Sequence, residues 1–196
     1  TVTKYINKGK NTMFLQVIRW SDGTYIEDQD FWRLSGIERD VFLYAQPKVA
    51  IRDIFVKTNL TNDLKTSNFK IDVDIKNFND LDSQVLIQSK LYDNKNQIIK
   101  TLTKDIQINS LSNQKISLSE EIIDPLLWSA EQPNLYYLTT TLIQDGKQTH
   151  SIGQQIGFRK IELKRGQILV NNQPILFKGV NRHEHDEFTG HVVSKE

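Results

Sequence analysis

Apolar and polar side chains alternate at period two through most of this 196-residue chain, a spacing that predicts strands with one face in a core and one in water. The clearest case is Phe69, Ile71, Val73 and Ile75 alternating with Lys70, Asp72, Asp74 and Lys76. Ile54, Val56 and Thr58 alternate ahead of it, and Val85, Ile87, Ser89 and Leu91 follow. Ile98 to Ile108 gives one more strand, and Ile116 with Leu118 a short one. Tyr137, Thr139, Thr141 and Ile143 make the next, and His150 to Phe158 the last. Polar turns separate these runs at Asn77 to Asp82 and at Asp93-Asn94-Lys95-Asn96. Asp145-Gly146 is a hairpin signal, because both residues tolerate the positive φ of a two-residue turn. About seven short strands in about 110 residues predict an all-β, immunoglobulin-like sandwich over residues 48–160. Trp128 sits between Pro125 and Pro133, and the two prolines predict a fixed loop carrying Trp128 into the core.

The flanks read differently. Thr12 to Trp20 is expected to be a strand, with Met13, Leu15 and Val17 on one face and Phe14, Gln16 and Ile18 on the other. Lys8-Gly9-Lys10-Asn11 ahead of it reads as a turn. Arg39 to Gln46 is expected to be another strand, with Val41, Leu43 and Ala45 sharing a face, and Pro47 marks a boundary. Two strands and a long loop do not make a domain, so 1–47 is the expected tail of one. Past Arg159, Ile168-Leu169-Val170 and Pro174-Ile175-Leu176-Phe177 flank Asn171-Asn172, a pair suited to a two-residue hairpin. No stretch carries a sustained 3.6-residue apolar period with caps, and there is no internal repeat.

Composition narrows the function classes. Lys and Arg number 25 against 24 Asp and Glu, a formal net charge of +1. That balance gives no reason to expect a nucleic-acid or membrane partner, and no apolar run approaches the roughly 18 residues of a membrane helix. Lysines on the outer faces of strands discourage edge-to-edge pairing. There is no cysteine, which removes disulfide and thiolate chemistry and fits cytosol and periplasm alike. The opening TVTKYINKGKN has no apolar signal core and no initiator Met, and HVVSKE ends without a closing element. The expectation is a piece excised from a longer chain.

Candidate chemistry is concentrated between Arg19 and Val41. This stretch holds Trp20 and Trp32 and the acidic residues Asp22, Glu27, Asp28, Asp30 and Glu38, between turn signals at Ser21-Asp22-Gly23 and Ser35-Gly36. Aromatic faces stack on sugars, and carboxylates accept from hydroxyls or hold a hard cation. By composition alone, solvated carboxylates and two core tryptophans account for the stretch better. His183, Glu184 and His185 form the one imidazole cluster. In an extended strand His183 and His185 point to the same side and would share a metal, though two ligands are too few to specify one. A solvated strand end is the competing reading. There is no Gly-rich phosphate loop and no Ser/His/Asp constellation.

The 23-residue run RWSDGTYIEDQDFWRLSGIERDV closely resembles the end of the jelly-roll sugar-binding domain in the large β-galactosidases of glycoside hydrolase family 2. LWSAEQPNLY and Gly157-Phe158-Arg159 resemble the family's second domain, and GVNRHEHDEF resembles the entry into its catalytic (β/α)₈ barrel. The resemblance implies jelly-roll strands over 1–47, the sandwich over 48–160 and the first barrel strands over 161–196. It implies that Asp30, ahead of Phe31-Trp32, helps hold a sodium ion and the galactose 6-hydroxyl. It gives His183 a transition-state-stabilising hydrogen bond in the galactose pocket, which fits the rule that barrel sites lie at the C-terminal ends of strands. It implies a parent that hydrolyses terminal non-reducing β-D-galactose residues with retention, using two glutamates on late barrel strands and magnesium as a further ion. No position here matches those glutamates or the magnesium ligands; Glu184 and Glu187 take no catalytic role. A whole barrel needs about 250 residues, so the expectation is a piece inactive alone, partnered by the rest of its own chain; a homo-oligomeric parent is compatible with this. The alternatives are a family 2 glucuronidase or mannosidase piece, or a standalone carbohydrate-binding or interaction module.

Overall fold

Strands dominate because β-branched and aromatic residues recur at period two, and the computed structural model shows how they pair. It describes residues 2–26, 36–37, 39–190 and 192–194. Two units arise, one from Ala45–Lys178 and one from Thr1–Tyr44 with Gly179–Glu196.

In the first unit, strands β1 (Val49–Leu60), β2 (Thr66–Asn77) and β5 (Asn113–Ile123) form one antiparallel sheet in the order β1-β2-β5. Strands β3 (Ser83–Tyr92), β4 (Ile98–Ile108), β6 (Tyr136–Gln144) and β7 (Lys147–Ile156) form the second, ordered β4-β3-β6-β7. These are the two sheets of an immunoglobulin-like sandwich, with one difference from the antibody constant domain. There the fourth strand joins the first sheet; here it stays hairpinned to β3. The Asp93 carboxylate holds that hairpin by accepting from the backbone N–H groups of Lys95 and Gln97, both at 2.8 Å.

The core lies between the sheets. Phe69, Ile71, Val73 and Ile75 of β2 are fully buried, with Ile87 and Leu91 of β3 and Leu142 of β6. Phe158 is also fully buried; its ring lies 5.8 Å from Phe69 and meets Tyr136 edge-on at 4.9 Å. Most buried polar residues are paired, as burial demands; among the described residues Ser67 Oγ is buried without a hydrogen-bond partner. The Ser89 and Thr140 hydroxyls bond at 3.0 Å. The amide of the fully buried Asn77 donates to Leu81 O at 2.9 Å and Asn109 O at 3.2 Å, and accepts from Asn79 N at 2.9 Å. Asn77 thereby fixes the 77–82 turn expected from its polarity.

Side-chain bonds tie the sheet edges: Lys100 of β4 pairs with Glu120 of β5 at 2.7 Å, and β1 meets β7 at two irregularities. A bulge between Ile51 and Asp53 of β1 and another between Leu142 and Ile143 on the β6–β7 ladder are connected by a single bond. Ile51 N–H donates to His150 Nδ1 at 2.9 Å, a donor left over by the bulge.

Several expectations need correction. β5 runs the whole length of β2, from Thr66↔Ile123 to Lys76↔Asn113; it is no short strand around Ile116. Its Ser119-Glu120-Glu121 stretch lies on a sheet edge facing water, so polarity there conceals the strand. In β6 the buried apolar side chains are Tyr136, Leu138 and Leu142, the opposite parity to Tyr137; Thr140 is buried with them, and Thr141 is the one buried residue of the other parity. Both parities carry apolar residues, and pairing with β3 decides: Leu138 opposes Leu91 and Leu142 opposes Ile87. β7 begins at Lys147, directly after the Asp145-Gly146 turn, whose φ values are 49° and 72°. Tyr137, on the outer face, lies across Gly153; a Cβ there would sit 1.9 Å from its hydroxyl.

Trp128 does not enter the core. It is half-buried, seated on Gly157, where an added Cβ would lie 2.8 Å from Trp128 Cβ. The Arg159 guanidinium covers its ring at 4.5 Å. The three residues Gly157-Phe158-Arg159 therefore do three things: clear space for Trp128, plug the core, and cap the indole by cation–π attraction.

Beyond the sandwich, β8 (Ile161–Lys164), β9 (Gln167–Val170) and β10 (Gln173–Pro174) form a small antiparallel sheet. The Asn171-Asn172 turn is present, with φ of 50° and 65°, and Val170 opposes Gln173. β8 and its Arg165-Gly166 turn were not anticipated. Their signal was the glycine at the second turn position (φ 73°) between two alternating pairs.

Ahead of the sandwich, no ladder forms over Thr12–Trp20 or Arg39–Gln46 among the described residues, against the expectation of two strands. Both parities of 13–18 are apolar, as in a strand covered on two sides, and a strand needs neighbours to receive its backbone hydrogen bonds. Met13, Phe14, Leu15 and Ile18 are exposed instead, as are Phe42, Leu43 and Tyr44. The turn at 8–11 is present, held by Asn11, whose side chain bonds the backbone of Asn7 in both directions at 2.9 Å.

Candidate functional site

The acidic stretch begins as the turn chemistry dictates. Ser21-Asp22-Gly23 turns and leads into one helical turn, α1 (Gly23–Ile26). Ser21 O accepts from Thr24 N at 3.0 Å and Asp22 O from Tyr25 N at 3.1 Å, while Thr24 Oγ1 accepts from Ser21 N at 3.2 Å. Trp20, ahead of it, is 59% exposed, and the Arg19 guanidinium lies 4.9 Å from its ring. It is an accessible aromatic face and no core residue. Asp30 lies outside the described residues, together with Glu27, Asp28, Trp32 and Glu38.

His183 and His185 lie in no strand, which corrects the strand expected there. Their rings nonetheless stack on each other, centroids 6.4 Å apart and planes inclined by 26°. The interleaved Arg182 and Glu184 approach to 3.5 Å. Immediately afterwards the chain closes a loop that the sequence reading missed. Asp186 N donates to Gly190 O at 2.8 Å and Gly190 N to Asp186 O at 3.0 Å. Asp186 Oδ1 accepts from Thr189 N at 2.7 Å and Phe188 N at 2.9 Å, and these bonds hold its carboxyl below the usual carboxylate range. An aspartate followed four residues later by a glycine at φ +72° was the available signal. The loop fixes the chain directly behind the imidazole pair.

Among the described residues no three or more of His, Cys, Asp and Glu gather as a metal would require. No helix among the described residues is long and apolar enough to cross a membrane. On the sandwich, a shallow depression is lined by Asp93, Asn94, Leu126, Pro133 and Asn134. Its polar groups serve their own loops: Asp93 holds the β3–β4 turn, and Asn134 Nδ2 donates to Leu127 O at 2.8 Å.

Three family models match in succession. "Glycosyl hydrolases family 2, sugar binding domain" matches residues 1–47, "Glycosyl hydrolases family 2" residues 49–159, and "Glycosyl hydrolases family 2, TIM barrel domain" residues 161–196. The chain is 41% identical over 193 residues to a β-galactosidase of Priestia megaterium, covering 96% of this chain and 18% of that protein. It is 37% identical over 201 residues to a β-galactosidase of Photobacterium profundum, covering 100% and 19%. It thus spans about a fifth of the length of the curated relatives it matches. Among solved structures it is similar to Bacteroides uniformis β-glucuronidase, with TM-score 0.76, 22% identity, and coverage of 85% of this chain and 21% of that one. Parabacteroides merdae β-glucuronidase gives TM-score 0.63 at 23% identity, covering 76% and 18%. At that identity the structures share the fold alone.

Proposed function

The chain belongs to glycosyl hydrolases family 2, and we propose that it is one part of a retaining β-galactosidase hydrolysing terminal non-reducing β-D-galactose residues. The observation that carries this reading is the β-galactosidase relatives that align along the chain at 34–41% identity. In this reading residues 1–47 close a sugar-binding jelly roll, 48–160 form the bracing sandwich, and 161–196 open the barrel.

Two positions reach the sugar. Asp30 accepts from the galactose 6-hydroxyl and offers a hard carboxylate oxygen of the kind sodium takes. It is one donor and no cage, so sodium and magnesium both depend on ligands elsewhere in the parent. His183 stabilises the transition state by a hydrogen bond that strengthens as charge develops. Its neighbour His185 and the loop closed by Asp186 restrict where that imidazole can lie. Retaining hydrolysis needs two carboxyls about 5 Å apart, and no residue here is assigned to either role.

The test has two arms. The purified 196-residue chain is expected to release no nitrophenol from a nitrophenyl β-galactoside; turnover surviving repurification would overturn the reading. In a protein carrying this segment with a complete barrel, His183→Ala is expected to lower kcat by roughly 10²–10³, the usual cost of losing one transition-state donor. Asp30→Ala is expected to remove sodium dependence. A preference for glucuronide over galactoside in that protein would replace the substrate assignment.

A further inference from the structure

The small sheet β8–β10 has no share in the sandwich core: none of its residues belongs to that cluster, and Ile161 and Leu163 are 59% and 78% exposed. Yet it is joined to the sandwich by bonds made almost entirely at one turn. Asn171 uses its backbone and both ends of its side chain. Its N–H donates to Lys160 O at 2.9 Å, its Oδ1 accepts from Lys160 N at 3.0 Å, and its Nδ2 donates to Trp128 O at 3.0 Å. Asn172 Nδ2 donates to Asn62 O at 2.9 Å, in the loop between β1 and β2. Lys160 Nζ completes the junction on Asn62 Oδ1 at 2.7 Å and Glu162 at 3.0 Å.

The residue choice is informative. A two-residue turn with positive φ at both positions is made most readily by glycine at the second. Here Asn172 occupies that position at φ 65°, where it is tolerated as turn chemistry and has a use glycine lacks, because its amide reaches Asn62. The same holds for Asn171, whose amide spans from the start of β8 to the Trp128 loop. Both side chains point the turn at the sandwich.

We propose that Asn171 and Asn172 form a polar latch that docks the β8–β10 sheet on the sandwich, and that breaking it frees this sheet while β1–β7 stay folded. The latch is independent of the activity proposed above.

The test uses Asn171→Gly, Asn172→Gly and the double variant of the whole chain. Glycine accepts the same φ, so the turn is retained and only the side-chain bonds go. Backbone ¹⁵N relaxation and amide exchange are followed together. The double variant is expected to lower order parameters through Ile161–Val170 from rigid values of about 0.85 toward 0.6. Exchange at the Lys160 amide, which loses its bond to Asn171 Oδ1, is expected to rise about tenfold, the scale of one lost net hydrogen bond. The β1–β7 amides are expected to stay within about twofold of wild type. Unchanged relaxation of β8–β10 in the double variant would overturn the proposal. So would equal loss of protection in β1–β7, since the turn would then belong to the sandwich's own cooperative unit.

Discussion

At the scale of single residues, two glycines show how space rather than backbone freedom selects a side chain. Gly157 lies against Trp128 Cβ, an atom tied to its own backbone, whereas Gly153 lies against the hydroxyl end of Tyr137. An alanine at 157 must move a loop; an alanine at 153 need only tilt a ring. Gly157→Ala is expected to cost about 1–3 kcal/mol by overpacking, and Gly153→Ala clearly less, as thermal unfolding would read directly. Asp72 gives a pH dependence of definite sign. The Ser117 hydroxyl, helped by Lys57 and Lys70 at 3.3 Å each, lowers its pKa from 3.8 to about 2 against the opposing effect of burial. A depressed carboxyl adds stability above its unfolded value that is lost as pH falls through its folded one. Wild type is therefore expected to lose stability between about pH 4 and about pH 2 more steeply than Asp72→Asn, measured as urea midpoints across that range.

At the scale of elements, legibility followed the contrast between the two faces of each strand. β2 was read correctly because Ile71 and Val73 stand between Lys70, Asp72 and Asp74, and β3 because Val85, Ile87 and Leu91 keep one parity, with Gln84, Gln88 and Lys90 on the other. β6 was found but in the wrong phase, since Tyr137, Thr139 and Ile143 alternate as well as Tyr136, Leu138 and Leu142, and only the register with β3 distinguishes them. β5 was cut short by edge polarity, and β8 was lost behind a turn beginning with arginine. Trp128 was misplaced for a different reason: two prolines fix a loop but say nothing about which side chain it delivers, and Phe158 took the core position. Phe158→Ala is expected to cost about 3–5 kcal/mol in denaturant unfolding. Arg159→Ala, which removes the cation over Trp128, is expected to cost only about 0.5–1 kcal/mol. Of the candidate site, the imidazole pair was legible from its spacing of two, while the loop closed by Asp186 had one weak local signal, an aspartate with a glycine four residues on.

At the scale of the whole molecule, each unit has its own character. The sandwich has a buried apolar core between its two sheets, whereas the Thr1–Tyr44 and Gly179–Glu196 unit has no buried hydrophobic among its described residues and exposes Phe14, Phe42, Leu43 and Phe188. Exposed apolar surface of this kind promotes association. The chain is expected to self-associate with rising concentration in sedimentation velocity, and Phe14→Lys with Phe42→Lys to shift it toward monomer; a concentration-independent monomer in wild type would contradict this. The β6–β7 hairpin offers a handle for such measurements. Its tip, from Asp145 to Gln148, is exposed, and the sequence contains no cysteine. Lys147→Cys would thus create a unique thiol on a rigid two-residue bend, beyond the left-handed pair itself. A dye or spin label there would report on the sandwich from one known point, with no native sulfhydryl to compete for the reagent.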